Sequence, residues 1–124
     1  MRRWKLVAIL VVANLAPLGT ALAAELWPTA RAAFEDGRSA YTQRRFVDAL
    51  KAFEASLRLD PTAISLWVNI AEAHRRMGHC ETALTKYQRF LDVAPKDEVW
   101  AKVEQRAQRL RKACPQATAA KPTD

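Results

Sequence analysis

Residues 30–63 read ARAAFEDGRSAYTQRRFVDALKAFEASLRLDPTA, and residues 64–97 read ISLWVNIAEAHRRMGHCETALTKYQRFLDVAPKD. The two stretches align without a gap, so that small residues stand opposite small residues and Pro61 stands opposite Pro95. Self-similarity at this fixed period of 34 residues indicates a repeat architecture, in which each copy buries its apolar face against the next copy.

Each copy also contains two helical patterns. Apolar residues recur at steps of three and four, which is the spacing of one buried helix face. Thr29, Thr62 and Asp97 stand where a side-chain oxygen accepts from the free N–H groups of a helix start, and Gly78 permits a tight turn. The patterns predict helices over residues 29–44, 46–59, 63–77, 80–93 and 98–114.

The fifth predicted helix is mostly polar, as expected of a helix that covers the open end of a repeat array. Its narrow apolar stripe is predicted to consist of Ala101, Val103, Ala107, Leu110 and Ala113. The inner face of the third helix is predicted to consist of Leu66, Trp67, Ile70, Ala71 and His74. We therefore expect five helices in one small domain, with the last helix as a cap.

The period and these residue types resemble the tetratricopeptide repeat over residues 30–97, and to residue 114 if the fifth helix is counted. That family places small residues where neighbouring helices cross closely, and Gly37, Ala49, Ala71 and Ala83 stand at those positions. A large side chain fills the wedge between the helices, as Phe53 and Tyr87 do here. The resemblance implies an all-α, right-handed helical-repeat solenoid with repeats over 30–63 and 64–97 and a capping helix over 98–114.

Two positions depart from the family's pattern. Ala33 stands where tryptophan or leucine is usual, so that we expect a looser N-terminal end. Phe90 stands where a small residue is usual, and a phenylalanine overpacks a tight seam unless a neighbour makes room. We expect Ala101 on the capping helix to leave that room.

Cys80 begins the fourth predicted helix, and Cys114 ends the fifth. These helices are expected to form an antiparallel hairpin with arms of nearly equal length, because each helical residue adds the same rise. We therefore predict a disulfide between Cys80 and Cys114 at the open end of the hairpin. The alternative is two separate buried thiols. Redox catalysis is not expected, since the chain has no C-x-x-C pair.

The first 23 residues have the pattern of a secretory signal peptide: a basic head, an apolar run and small residues at a cleavage site. The alternative is an uncleaved anchor over residues 6–24, a length near the lower limit of a membrane span. Cleavage leaves a linker over residues 24–29 and no integral membrane span. Residues 115–124 predict a disordered tail. We expect an exported protein, either periplasmic or secreted.

The formal net charge is +7, and loss of Arg2, Arg3 and Lys5 with the signal lowers it to +4. A modest charge in an exported protein argues against nucleic acid and favours acidic peptides or anionic polymers as partners. No glycine-rich phosphate loop or Gly-x-Ser-x-Gly turn is present, so that we predict no enzymatic activity and no cofactor. We predict no metal site at His74, His79 and Cys80, because His74 stands at an inward position.

The resemblance implies a partner-binding concave surface, built mainly from the first helix of each repeat. In the first repeat its candidates are Arg31, Phe34, Glu35, Arg38 and Tyr41; in the second they are Ser65, Val68, Asn69, Glu72, Arg75 and Arg76; the capping helix adds Lys102, Arg106 and Arg109. Arginine favours planar carboxylates through paired N–H groups, although exposed helix charges are often only solvated surface. Asn69 matches one amide of the family's clamp for a C-terminal carboxylate, but Phe34, Arg38, Val99 and Val103 do not, so that this clamp is expected to be absent.

We therefore predict a non-catalytic adaptor that binds a protein or peptide segment in the cell envelope through a basic concave surface. One alternative is a homo-oligomer that associates through an apolar edge at Trp27, Ala33 and Phe34. The other is attachment to an anionic envelope polymer. Salt-sensitive polymer binding would favour the second alternative, and a concentration-dependent size would favour the first.

Overall fold

The computed structural model describes residues 26–114. Within that range the chain forms five helices and no strand: α1 Ala30–Thr42, α2 Phe46–Leu59, α3 Leu66–Arg76, α4 Cys80–Val93 and α5 Glu98–Ala113. Helices that are consecutive in sequence pack against one another. The prediction of an all-α helical repeat is confirmed.

The predicted signal peptide, residues 24 and 25 of the predicted linker, and the predicted tail lie outside the described residues. Among the residues that are described, none of the helices has both the length and the apolar character needed to cross a membrane.

Two large buried clusters form most of the core, one centred on the first repeat and one on the second, beside a small third cluster of Ala33 and Ala55. Phe53 and Ile70 lie in the first cluster, and Tyr87 and Phe90 lie in the second. Trp67 packs against both clusters. Because one aromatic side chain contacts both halves of the core, the two repeats share a continuous interior, as a stacked array requires.

The helices of the first repeat cross closely at Gly37. A Cβ atom added to Gly37 would lie 2.5 Å from Cδ1 and 2.6 Å from Cε1 of Phe53, and the Phe53 ring is itself buried. In the second repeat, fully buried Ala71 and Tyr87 take the corresponding places. The predicted role of small residues at these crossings is thus confirmed for Gly37 by the contact distance.

The turn between the helices has the same shape in both repeats. Arg44 has φ of 61° and Gly78 has φ of 79°, both in the left-handed region. Each is followed by a backbone N–H that bonds back across the helix end: Arg45 N to Ala40 O and His79 N to His74 O, each at 2.9 Å. The first repeat therefore holds an arginine in a conformation that favours glycine.

Replacing Arg44 with glycine is expected to raise the free energy of unfolding by about 0.5–1 kcal/mol, because glycine adopts positive φ without steric cost. Arg44→Ala is the matched control, since it removes the same charge and keeps the strained backbone. Thermal melts of both variants check this. Equal midpoints for the glycine and alanine variants would show that the turn at Arg44 carries no strain.

Helix α3 begins at Leu66 rather than at the predicted residue 63. Asp60 Oδ1 accepts from the backbone N–H of Thr62 at 3.0 Å and from its hydroxyl at 2.6 Å. Thr62 is therefore engaged with Asp60, two residues before it, and its predicted role as a helix cap is wrong. The other two caps are confirmed: Thr29 accepts from Ala32 N, and Asp97 accepts from Trp100 N.

Two residues of the predicted stripe on α5 do not belong to the core. Ala101 and Ala113 are exposed, whereas Val103, Ala107 and Leu110 are buried. Phe90 is also buried, in the same cluster as these three residues. The prediction that Ala101 makes room for Phe90 is therefore wrong, because α5 turns Ala101 toward solvent.

Trp27 packs against the N-terminal end of the first repeat. Ala33 and Ala55 are fully buried, and the Trp27 ring packs against them. The indole Nε1 also donates to Asp36 Oδ2 at 2.6 Å. The expected looseness at Ala33 is not found, because a tryptophan from outside the repeat supplies the large side chain.

The predicted Cys80–Cys114 disulfide is present, with the two Cα atoms 6.1 Å apart. It joins the first residue of α4 to the residue that follows α5. The bond therefore holds the far end of the capping helix against the second repeat.

Candidate functional site

The residues of one face recur at the repeat period on α1, α3 and α5. Arg38, Glu72 and Arg106 stand at equivalent positions of these three helices. Tyr41, Arg75 and Arg109 form a second equivalent set, three residues further along each helix. Three helices that stack in one register bring equivalent positions to the same face, and the face is therefore crossed by a row of charges in the order arginine, glutamate, arginine.

Two adjoining cavities lie on this face, and we call them together the α1–α3–α5 groove. The first cavity is about 320 Å³ and is lined by Arg38, Tyr41, Thr42, Phe53, Asn69, Glu72 and Arg106. The second is about 440 Å³ and is lined by Glu72, Arg75, Tyr87, Arg106, Arg109, Leu110 and Ala113. Glu72 and Arg106 line both cavities, so that they stand at the point where the two meet.

Glu72 is the centre of a hydrogen-bonded network. Its Oε2 accepts from Nε and Nη2 of Arg75 at 3.0 and 2.8 Å. Its Oε1 accepts from the Tyr87 hydroxyl and lies 3.5 Å from Nη1 of Arg106. Donors from α3, α4 and α5 thus converge on one carboxylate, which satisfies a charge that is only 19% exposed.

Contact with Glu72 affects the pKa values of Arg75 and Tyr87. The hydrogen bond to Glu72 raises the pKa of Arg75. Burial, and after it the hydrogen bond to Glu72, raises the pKa of Tyr87. Arg75 therefore remains a cation and Tyr87 a neutral donor at any physiological pH, and the groove keeps its pattern of donors.

The structure brings six of the predicted surface residues together in the groove: Arg38, Tyr41, Asn69, Glu72, Arg75 and Arg106. Arg109 of the capping helix is the seventh predicted residue in the groove, and it lines the second cavity. Four arginines and one glutamate therefore line the two cavities.

The remaining predicted residues have other surroundings. Arg31 lies 3.6 Å from Glu35, and Lys102 lies 2.6 Å from Glu98, each within its own helix. These charge pairs line neither cavity. Ion pairs of this kind on an exposed helix face contribute little to the stability of the fold.

Three further predicted residues belong mainly to the packing around the groove. The Phe34 ring packs against Phe53 with 6.1 Å between ring centres. Val68 packs against the core of the second repeat. The Arg76 guanidinium lies 5.2 Å from the ring centre of Phe46, at the end of α3. None of the three lines a cavity of the groove.

Tyr87 and Thr42 were not among the predicted surface residues, although both line the groove. Tyr87 stands opposite Phe53 in the repeat, and this position predicts a core side chain. The one atom that distinguishes the two side chains is the hydroxyl oxygen, and this oxygen reaches Glu72. Comparing the two repeats for polar changes at buried positions could have identified the Tyr87 hydroxyl from the sequence.

His74 is half-buried rather than a core residue, which corrects the prediction made from its position. Its Nδ1 lies 3.3 Å from Nδ1 of His79, and burial together with His79 lowers the pKa of His74. Cys80 is engaged in the disulfide. Across residues 26–114, no cluster of three or more His, Cys, Asp or Glu side chains is placed to hold a metal ion.

Two helical hairpins in tandem, a polar covering helix and a groove on the face of the first helices define a helical-repeat scaffold protein. The chain belongs to the tetratricopeptide repeat family, because the sequence model of that repeat matches residues 37–108, more than half of the chain. No match was found among curated proteins. Repeats of this family serve as scaffolds for protein–protein interaction and are generally non-catalytic.

Proposed function

We propose that this protein is a non-catalytic adaptor which binds an acidic protein or peptide segment in the α1–α3–α5 groove. The observation that carries the proposal is the convergence of four arginines from three helices on two adjoining cavities. Arginine presents paired N–H donors that match a carboxylate, and a cleft of one charge raises the local concentration of opposite charges.

We further propose that the adaptor works outside the cytoplasm, in the periplasm or as a secreted protein. Two observations support this. The first 23 residues have the charge and hydropathy pattern of a secretory signal. The disulfide between Cys80 and Cys114 is of a kind that persists mainly in oxidising compartments.

The proposal predicts that the partner contacts the groove and not the opposite side of the molecule. A photo-crosslinking amino acid at Thr42, which lines the first cavity, is expected to form an adduct with a second protein in intact cells. The matched control is the same amino acid at Thr82, an exposed residue of α4 outside both cavities. Mass spectrometry of the adducts identifies the partner.

Charge reversal provides the second measurement. The double variant Arg38→Glu/Arg106→Glu is expected to abolish the adduct at Thr42, because both arginines line the first cavity. Arg58→Glu/Arg89→Glu changes the net charge equally at exposed positions of α2 and α4 and is expected to leave the adduct intact. Equal loss of the Thr42 adduct in both double variants would show that the effect comes from net charge alone. Adducts with a second copy of this chain alone would contradict an adaptor and favour self-association.

A further inference from the structure

We infer that Glu72 acts as the groove's own counter-ion: its carboxylate binds Arg75 and Arg106, the two guanidinium groups that a partner's carboxylate would bind. Glu72 thereby restricts the groove to segments with several carboxylates. This inference rests on the proposed function, because it concerns which acidic partners the groove accepts.

The position of Glu72 in the repeat is the first argument. Its counterparts in the neighbouring helices are Arg38 and Arg106, so that a position otherwise occupied by arginine carries the opposite charge in the middle helix. Glu72 is also the one acidic residue among those that line the two cavities. A groove that needed only positive charge would not require a carboxylate at its centre.

The geometry of the network is the second argument. Arg75 binds one oxygen of Glu72 through two nitrogens, while the Tyr87 hydroxyl and Arg106 approach the other oxygen. Tyr87 is fully buried, so that its hydroxyl is held in place before any partner arrives. The site is therefore already arranged for a carboxylate, since two arginines and a fixed hydroxyl converge on one.

Exchange of one carboxylate for another is feasible here. The Arg75 and Arg106 side chains are 41% and 49% exposed and border the second cavity. Both guanidinium groups can turn toward a ligand in the cavity, while the Tyr87 hydroxyl stays bonded to Glu72, whose side chain is only 19% exposed. Glu72 nevertheless remains beside the incoming group, and like charges repel.

The consequence is selectivity for several carboxylates over one. A segment with a single carboxylate must compete with Glu72 for Arg75 and Arg106. A segment with several carboxylates also reaches Arg38 in the first cavity and Arg109 in the second, and these contacts offset the competition.

The test measures binding of fluorescein-labelled oligoglutamate, and of an alanine peptide with one glutamate, to wild type and to Glu72→Gln. Glutamine keeps the length of the side chain and an oxygen that accepts from Tyr87, but it carries no charge. We expect Glu72→Gln to bind oligoglutamate about three- to tenfold more tightly, as the removal of one or two partly exposed competing ion pairs allows. We expect a larger gain for the peptide with a single glutamate.

Glu81→Gln is the matched control, because it removes the same charge at an exposed position of α4 outside both cavities. It is expected to bind both peptides within about twofold of wild type. Circular dichroism establishes that each variant is folded. If Glu72→Gln does not fold, Glu72→Met provides the same test with an apolar side chain of similar length.

The outcomes separate this inference from the proposed function. Equal or weaker binding by a folded Glu72→Gln variant would overturn the inference, since Glu72 would then only position the arginines. If wild type binds oligoglutamate and loses it in Arg38→Glu/Arg106→Glu, the proposed function survives that result. If neither wild type nor Glu72→Gln binds either peptide, both the inference and the acidic partner are wrong.

Discussion

Removal of the Cys80–Cys114 disulfide is expected to lower the free energy of unfolding by about 3–4 kcal/mol. The bond closes a loop with a sequence separation of 34 residues. In the chain-entropy account, closing a loop of that length removes conformational entropy from the unfolded chain and so raises its free energy by about this amount. Urea denaturation of the double variant Cys80→Ser/Cys114→Ser, beside oxidised wild type, measures the difference. Marginally stable domains lose much of their stability through such a change.

Reductant supplies the internal control for this prediction. It is expected to bring the wild-type midpoint to that of the double serine variant and to leave the serine variant unchanged. Equal midpoints for wild type with and without reductant would contradict the stabilising role of the bond.

The same variant is expected to weaken binding of acidic peptides. Arg106 and Arg109 lie on α5, whose far end the disulfide attaches to the start of α4. Without the bond α5 frays from that end, because helix ends are the least stable parts of a fold. Oligoglutamate binding by the folded double serine variant, compared with oxidised wild type, measures this effect.

Gly37→Leu is expected to unfold the first repeat, with a loss of more than about 3 kcal/mol, the upper part of the range for overpacked cores. Even a single added carbon would lie 2.5 Å from the Phe53 ring. The ring cannot move away, because it is 2% exposed within the core cluster of that repeat. Thermal melts by circular dichroism measure the loss of helix.

Two comparisons test the cause of that loss. Ser39→Leu places the same side chain at an exposed position of α1 and is expected to change stability by less than about 0.5 kcal/mol. The double variant Gly37→Ala/Phe53→Leu is expected to lose less free energy of unfolding than the two single variants lose in sum, because the smaller side chain at position 53 relieves the contact. A normal melt for Gly37→Leu would mean that α1 and α2 do not cross at this residue.

The sequence by itself determined the repeat and most of the helix boundaries. Small residues at the helix crossings, a proline after each second helix and turn residues between the helices are local requirements, and each can be recognised from residue type and spacing. The disulfide also followed from the sequence, because helices of nearly equal length in an antiparallel hairpin bring their ends together. The start of α3 did not follow from the sequence, because Asp60 binds Thr62 in a turn that competes with helix formation.

The binding surface was determined only in part. Repeat spacing placed Arg38, Glu72 and Arg106 on one face, but it contained no information on which side chains touch. Exposed helix charges all look alike in a sequence, whether they form a pair within one helix, as Arg31 and Glu35 do, or converge from several helices. The tertiary structure decided that Arg75, Arg106 and the buried Tyr87 meet at Glu72. Side chains from three helices meet only where the packing of α3, α4 and α5 brings them within hydrogen-bonding distance, and that packing is a property of the assembled core.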